Sequence, residues 1–146
     1  MAATLIYRYR LLYEGAMLAL YGRHYGARYR VIADLIPAES TVLDLCCGPA
    51  VLFNRYLRQK QVHYIGLDIS DAFIRDLIAR GGCGRVWNMQ DPTCLPEADY
   101  VVMQASLYHA LPNPKPLVDR MLKAARKSVI IAEPIRNRSQ RMNWKD

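Results

Sequence analysis

Short apolar runs alternate with one-sided helical patterns along most of this chain. Runs typical of strands buried on both faces lie at 42–45, 62–67, 85–89, 100–104 and 129–132. Between them, apolar residues recur at helical spacing, as in Leu52, Phe53, Tyr56 and Leu57. Alternating strands and helices predict an α/β fold with right-handed crossovers, which is a parallel sheet of about five strands with helices on both faces. We expect the strand order 3-2-1-4-5.

The two ends of the chain differ from this pattern. Residues 5–36 are helical in pattern, with Gly22 and Gly26 as breaks, so that they predict two helices. We therefore expect a single domain over 1–146, made of a helical cap at 1–37, a core at 38–135 and a tail at 136–146. The tail has a linker-like composition and is expected to be exposed and partly mobile.

Composition narrows the class of protein. With 146 residues, 52% hydrophobic and 23% charged, the chain has material for one core. No membrane-spanning run and no leader sequence is apparent, so we predict a cytoplasmic protein. The four cysteines form no CxxC pair, so neither a disulfide framework nor a metal site is predicted. The net charge of +7 would suit an anionic partner.

The segment Val42 to Leu52, VLDLCCGPAVL, has the pattern of a cofactor-binding turn after the first strand. Asp44 is followed by small residues at Cys46, Gly48 and Ala50. A dinucleotide fingerprint would instead need a small residue where branched Val51 stands, and no phosphate-binding Gly-Lys-Ser/Thr follows.

At this spacing the chain resembles the class I S-adenosylmethionine-dependent methyltransferases of the type 11 branch, over roughly 41–134. The resemblance rests on VLDLCCGPA, on YIGLDIS with Asp68, and on QDPTCLP with Asp91. It implies a Rossmann-like fold and S-adenosylmethionine as cofactor. By the same resemblance Gly48 lets the backbone approach the methionine part, Asp44 holds its amino group, Asp68 accepts from the ribose hydroxyls and Asp91 reads the adenine amino group. Ile69 and Gln104 complete the predicted cofactor site with Cys46 and Ala50.

Cys46 and Ala50 depart from the family, because both stand at glycine positions. We expect Cys46 to be tolerated provided that its backbone needs no positive φ, whereas Ala50 adds a methyl group where the turn enters the helix.

Residues 104–109 follow the fourth strand, where ligands of such sheets bind, so this run is the catalytic candidate. His109 is the candidate base and Tyr108 an orienting hydroxyl, although His109 can equally be a structural residue of a helix start. Methyl transfer needs a base only when the nucleophile carries a proton. Glu133, at the end of the fifth strand, either faces the acceptor or is an exposed strand terminus.

The predicted function is methyl transfer from S-adenosylmethionine to a small-molecule or lipid-like acceptor. An RNA methyltransferase is the alternative, suggested by the charge and by Tyr21, Tyr25 and Tyr29 among arginines. That stripe could also pack on the sheet or form a lid over the substrate. The family sheet normally continues into an antiparallel pair, whereas 12 residues follow Pro134 here. We therefore expect the fifth strand to form an apolar edge of the sheet. Either a second copy covers this edge in a homodimer, or the chain is a truncated cofactor-binding module without turnover.

Overall fold

The computed structural model describes residues 9–135 and contains a five-stranded parallel sheet in the order β3-β2-β1-β4-β5. The predicted α/β fold and strand order are confirmed. The strands are β1 Thr41–Leu45, β2 His63–Asp68, β3 Cys83–Val86, β4 Ala98–Gln104 and β5 Ala125–Ala132.

Four α-helices surround this sheet: α1 Arg10–Tyr21, α2 His24–Asp34, α3 Asp71–Ala79 and α4 Lys115–Ala124. Shorter helical turns are a π-helical turn Leu52–Leu57, which continues into a 3-10 turn Arg58–Lys60, and a 3-10 turn Leu107–Ala110. The hydroxyl of Ser70 caps α3 by accepting from the backbone N–H of Phe73 at 3.3 Å.

The break between α1 and α2 lies at only one of the two predicted glycines. Gly22 ends α1 with φ of 53°, and its N–H donates to the Leu18 carbonyl at 2.8 Å. Gly26 instead lies inside α2, so the second predicted break is wrong. Its lack of a side chain makes room for Tyr56, whose hydroxyl donates to the Gly26 carbonyl at 3.2 Å and would lie 3.0 Å from an added Cβ. This glycine therefore serves helix packing.

The register of the central strands places their carboxyl ends at one level. Leu45 of β1 lies opposite Leu67 of β2 and Met103 of β4, and all three side chains are fully buried. The residues that follow these strands therefore meet at one edge of the sheet, which is where a ligand is expected in this architecture.

Both faces of the sheet are covered, which explains the nearly continuous apolar runs. One face packs against α2, the π-helical turn and α3, in a cluster that includes Tyr25, Ile32, Phe53 and Leu77. The other face packs against α4, where Met121 is fully buried.

Two strand boundaries differ from those that the apolar runs predict. β3 runs from Cys83 to Val86, whereas the predicted strand covered 85–89. The observed strand therefore begins two residues earlier and ends three residues earlier. Beyond it, the backbone N–H of Trp87 donates to the Asp68 carbonyl at 2.9 Å and the chain turns over the sheet edge. β5 begins at Ala125, before its apolar run, because polar residues are tolerated on its exposed side.

Within residues 9–135, β5 pairs only with β4 and forms an edge of the sheet on which Ile131 is 37% exposed. The predicted apolar edge is thus observed, whereas its cover by a second copy stays a prediction. The predicted tail at 136–146 and the absence of an antiparallel pair concern residues outside the described part. No helix of the described part is long and apolar enough to cross a membrane.

Candidate functional site

The turn after β1 holds three residues in the left-handed backbone region. The φ angles are 57° for Cys46, 54° for Gly48 and 53° for Ala50, which are the three small positions of the sequence motif. The condition under which Cys46 was expected to be tolerated, a backbone without positive φ, is therefore not met, because the turn keeps the glycine conformation at this position. A side chain at such a position costs about 1 kcal/mol. Burial also raises the pKa of the Cys46 thiol to about 12, so this thiol stays neutral.

Asp68 at the end of β2 is bound to that turn. One carboxylate oxygen accepts from the backbone N–H of Gly48 and the other from that of Ser70, each at 2.8 Å. Burial raises the pKa of Asp68, and these backbone donors act against the rise. Each oxygen can accept a second hydrogen bond. The Asp68 carboxylate can therefore accept one hydrogen bond from each of the two hydroxyls of a ribose.

A cavity of about 340 Å³ opens at the carboxyl ends of the strands. Six residues singled out from the sequence line it: Cys46, Gly48, Asp68, Ile69, Tyr108 and His109. The structure thus brings the turn, the acidic end of β2 and the catalytic candidates to one site. Ala50 does not line this cavity, since it is fully buried behind the turn.

Part of the lining was not predicted from the sequence. Residues 87–90 line the cavity because the chain turns after β3. Ala105 and Ser106, which belong to the predicted run 104–109, line it as well. The rule that ligands bind beyond strand ends would have identified 87–90 if β3 had been predicted to end at Val86. Tyr13 and Phe73 also line the cavity and meet edge to face, with ring centroids 5.6 Å apart.

The helix that carries Tyr13 is fixed over the site by ion pairs. Buried Glu14 accepts from Arg10 on its own helix and from Arg55 of the π-helical turn, each at 3.2 Å. Arg10 also lies 3.4 Å from Asp76 of α3. These contacts join α1 to the π-helical turn and to α3, so that α1 covers one side of the cavity.

Asp44 lies in the floor of the site and is only 4% exposed. The hydroxyl of Tyr64 donates to its carboxyl group at 2.6 Å. Burial raises the pKa of Asp44 to about 7, although the Tyr64 hydrogen bond acts in the opposite direction. Asp44 and Gln104 line a recess of about 50 Å³, whose other lining residues include Cys46 and Gly48 of the main cavity. The recess therefore continues the main cavity at its inner end.

Asp91 is not part of the cavity lining. Its carboxylate accepts from the backbone N–H of Thr93 at 2.9 Å, which is an Asx turn and which lowers its pKa. Arg120 of α4 donates to the carbonyls of Asp91 and Met89, the second at 2.7 Å, and so holds the loop from outside the cavity. The part of this loop that lines the cavity consists of Asn88, Met89 and Gln90 and does not include Asp91.

The turn with the catalytic candidates is fixed by Glu133, which follows β5. One Glu133 oxygen accepts from the backbone N–H groups of Ser106 and Leu107, both at 2.8 Å. In the next residues the Tyr108 and His109 rings lie 4.0 Å apart between centroids. Burial lowers the pKa of His109, while Glu133 acts against that shift, so the imidazole is mainly neutral at pH 7. Glu133 thus positions the turn.

The tyrosine stripe of α2 packs inward. Tyr25 is 1% exposed and Tyr29 is 9% exposed, and their rings meet edge to face at 5.3 Å between centroids. Tyr29 also stacks on Tyr56, with 6.3 Å between ring centroids. The packing interpretation therefore accounts for both residues.

A family model described as methionine biosynthesis protein MetW matches residues 26–144. A search of the curated proteins found no match for this chain.

Solved structures with the same fold include several methyltransferases. A TehB-like S-adenosylmethionine-dependent methyltransferase from Corynebacterium glutamicum has a TM-score of 0.66 and 18% identity, covering 83% of this chain and 69% of its own. DesVI of Streptomyces venezuelae has a TM-score of 0.64 and 19% identity, with coverages of 83% and 56%. A methyltransferase from Geobacter sulfurreducens in complex with S-adenosyl-L-homocysteine has a TM-score of 0.57 and 14% identity, with coverages of 79% and 51%. The fold is that of class I methyltransferases, and the chain spans about half to two thirds of these proteins.

Proposed function

This chain belongs to the MetW family, and we propose that it binds S-adenosylmethionine and transfers the methyl group to a small-molecule or lipid-like acceptor. The observation that carries the proposal is the Asp68 carboxylate, which borders the cavity while the backbone N–H of Gly48 fixes its orientation. The structural relatives support the choice of cofactor, since two of them are named as S-adenosylmethionine-dependent and one is bound to the demethylated product.

The residues of the site match the parts of this cofactor. Asp68 would accept from the ribose hydroxyls, and Ile69 with residues 88–90 would surround the adenine. Gly48 adopts its left-handed backbone conformation without a side chain, so its backbone faces the ligand directly. The space beside it is open, because an added Cβ would meet no atom within 4 Å. Asp44 in the recess would bind the ammonium group. The side-chain nitrogen of Gln104 is buried without an acceptor among the described residues, so the recess offers a free donor as well.

The cofactor supplies an electrophilic methyl group on a sulfonium. The protein aligns the acceptor, for which Tyr108, His109 and Ser106 provide polar groups at the cavity wall. A mainly neutral His109 can accept a proton from an acceptor hydroxyl or amine as the new bond forms. Glu133 holds the turn in place through two backbone N–H groups and is a positioning residue.

A small acceptor suits this site better than RNA does. An RNA face would need exposed aromatic rings on which bases stack. Tyr25 and Tyr29 are instead buried in the protein core. Filter binding to RNA over a salt series distinguishes the alternatives, because an RNA enzyme would bind with a steep salt dependence.

Calorimetric titration with S-adenosylmethionine and S-adenosylhomocysteine tests the cofactor site. We expect the wild type to bind both ligands and Asp68→Asn to bind them about tenfold to a hundredfold more weakly, since a charged acceptor is lost. Asp71→Asn is the matched control, because this nearby carboxylate lies on the exposed surface of α3 and pairs with Arg75. Its affinity should equal that of the wild type.

Failure of the wild type to bind either ligand would contradict the proposal, and an unchanged affinity in Asp68→Asn would contradict the ribose assignment. Turnover is measured separately, as S-adenosylhomocysteine formed in the presence of amine, hydroxyl and lipid acceptors. Binding without product from any of them would favour the cofactor-binding module over the enzyme.

A further inference from the structure

Arg28 of α2 lies among aromatic rings, and one of its hydrogen-bond donors is unused. The carbon of its guanidinium lies 4.8 Å, 5.0 Å and 5.1 Å from the ring centroids of Tyr21, Tyr25 and Tyr29. One terminal nitrogen donates to the Tyr29 hydroxyl at 3.4 Å, whereas Nε is buried and has no acceptor among the described residues. A buried donor without an acceptor is costly, so this nitrogen invites a ligand.

The guanidinium of Arg28 also lacks a direct carboxylate partner in the described part of the chain. Among residues 9–135, no carboxylate forms an ion pair with Arg28. Most of the arginines that form ion pairs with carboxylates do so on the protein surface, as Arg75 does with Asp71. A half-buried guanidinium that has ring contacts but no anion is suited to bind an anion from a ligand.

The position of Arg28 supplies the link to the cofactor. Arg28 lines the same recess of about 50 Å³ as Asp44 and Gln104, at the inner end of the main cavity. The Gln104 amide nitrogen is the second buried donor there without an acceptor. The recess therefore combines one acid with two unused donors, which complements the ammonium and the carboxylate of an α-amino acid.

We propose that Arg28, assisted by the Gln104 amide, binds the α-carboxylate of the methionine part of the cofactor. The inference rests on the proposed function and adds to it a residue outside the strand-end motifs. It assigns to α2 a direct role in cofactor binding, with the three tyrosine rings holding the guanidinium at the recess. Selectivity for a ligand with a free carboxylate follows from it.

The test compares two ligands that differ only in that carboxylate: S-adenosylhomocysteine and the amine S-adenosyl-3-thiopropylamine. Calorimetry with the wild type should give an affinity about tenfold to a hundredfold higher for the first ligand, as is typical for a charge-assisted hydrogen bond. In Arg28→Met this preference should fall to about twofold or less, through weaker binding of S-adenosylhomocysteine alone. Arg30→Met, on the exposed side of the same helix, should keep the wild-type preference.

A structural role for Arg28 would give a different result. If Arg28→Met weakens both ligands by the same factor, or changes neither affinity, the assignment is overturned. Should Arg28→Met fail to fold, the wild type and Arg28→Lys decide, because equal affinities of the wild type for the two ligands would also overturn it. If the wild type binds neither ligand, the proposed function fails, and this outcome is distinct from a loss of carboxylate preference.

Discussion

The buried acid at the floor of the site predicts an unusual pH dependence of stability. Asp44 is buried, and its pKa is raised to about 7, mainly by desolvation. In the unfolded chain an aspartic acid titrates near pH 4. Between these values the folded protein holds a proton that the unfolded chain has released. The contribution of Asp44 to the free energy of unfolding is therefore fully present below about pH 4 and is lost as the pH rises to about 7.

The size of this effect follows from the difference in pKa. A difference of about three units corresponds to about 4 kcal/mol over the whole range, of which about 2 to 3 kcal/mol falls between pH 5 and pH 8. Asp44→Asn removes the titration and leaves an amide that can still interact with the Tyr64 hydroxyl. We therefore expect Asp44→Asn to gain stability relative to the wild type by about 2 to 3 kcal/mol as the pH rises from 5 to 8.

Urea unfolding of both proteins at pH 5, 6, 7 and 8, in the absence of ligand, measures this difference. The comparison with Asp44→Asn matters because burial also raises the pKa of Asp68, which adds a trend of the same sign to both proteins. Asp119→Asn, which removes a carboxylate that is 54% exposed on α4, controls for the loss of one negative charge. A stability difference between wild type and Asp44→Asn that stays constant from pH 5 to pH 8 would refute the reasoning.

Three further changes test separate features of the site. Cys46→Gly should stabilise the protein by up to about 1 kcal/mol in urea unfolding, because glycine adopts φ of 57° without strain, and a clear loss of stability would contradict this. Glu133→Ala should increase the hydrogen-exchange rates of the amides of 106–107, which lose their acceptor, and unchanged rates would show that Glu133 does not fix the turn. Gly66→Ala should cost about 1 to 3 kcal/mol, since its Cβ would lie 2.8 Å from the Leu77 side chain, and wild-type stability would contradict this packing.

The sheet was predictable from the sequence because its signal is local. Strands such as β1 and β4 are buried on both faces, so their apolar runs are almost uninterrupted and alternate with helical patterns. Once the elements were placed, the handedness of their connections left few topologies. The end of β3 was less predictable, since Trp87 and Met89 continue the apolar run while lining the cavity and loop rather than the strand.

The lining of the cavity and its recess was predictable where its residues lie at or just beyond strand ends. Asp44, Gly48 and Asp68 all lie there, and the structure places each at the cavity or its recess. Asp91 also follows a strand, but its carboxylate turns to the Thr93 amide, a local hydrogen bond that the sequence does not reveal.

Arg28 could not be found in this way, because its importance depends on contacts across the fold. Its sequence neighbours indicate an ordinary arginine on an amphipathic helix. Only the packing of α2 on the turn after β1 brings it to the same recess as Asp44 and Gln104. The positive φ at Cys46 could not be predicted from the sequence either, because the residue type alone does not show whether this position keeps the glycine conformation.

The most direct test of the central claim is a crystal structure of the complex with S-adenosylhomocysteine. The account predicts that the ligand fills the cavity at the strand ends, with both ribose hydroxyls within about 3 Å of the Asp68 carboxylate oxygens. It also predicts the adenine beside Ile69 and residues 88–90. A ligand bound elsewhere, or one whose ribose makes no hydrogen bond to Asp68, would contradict the assignment of this site.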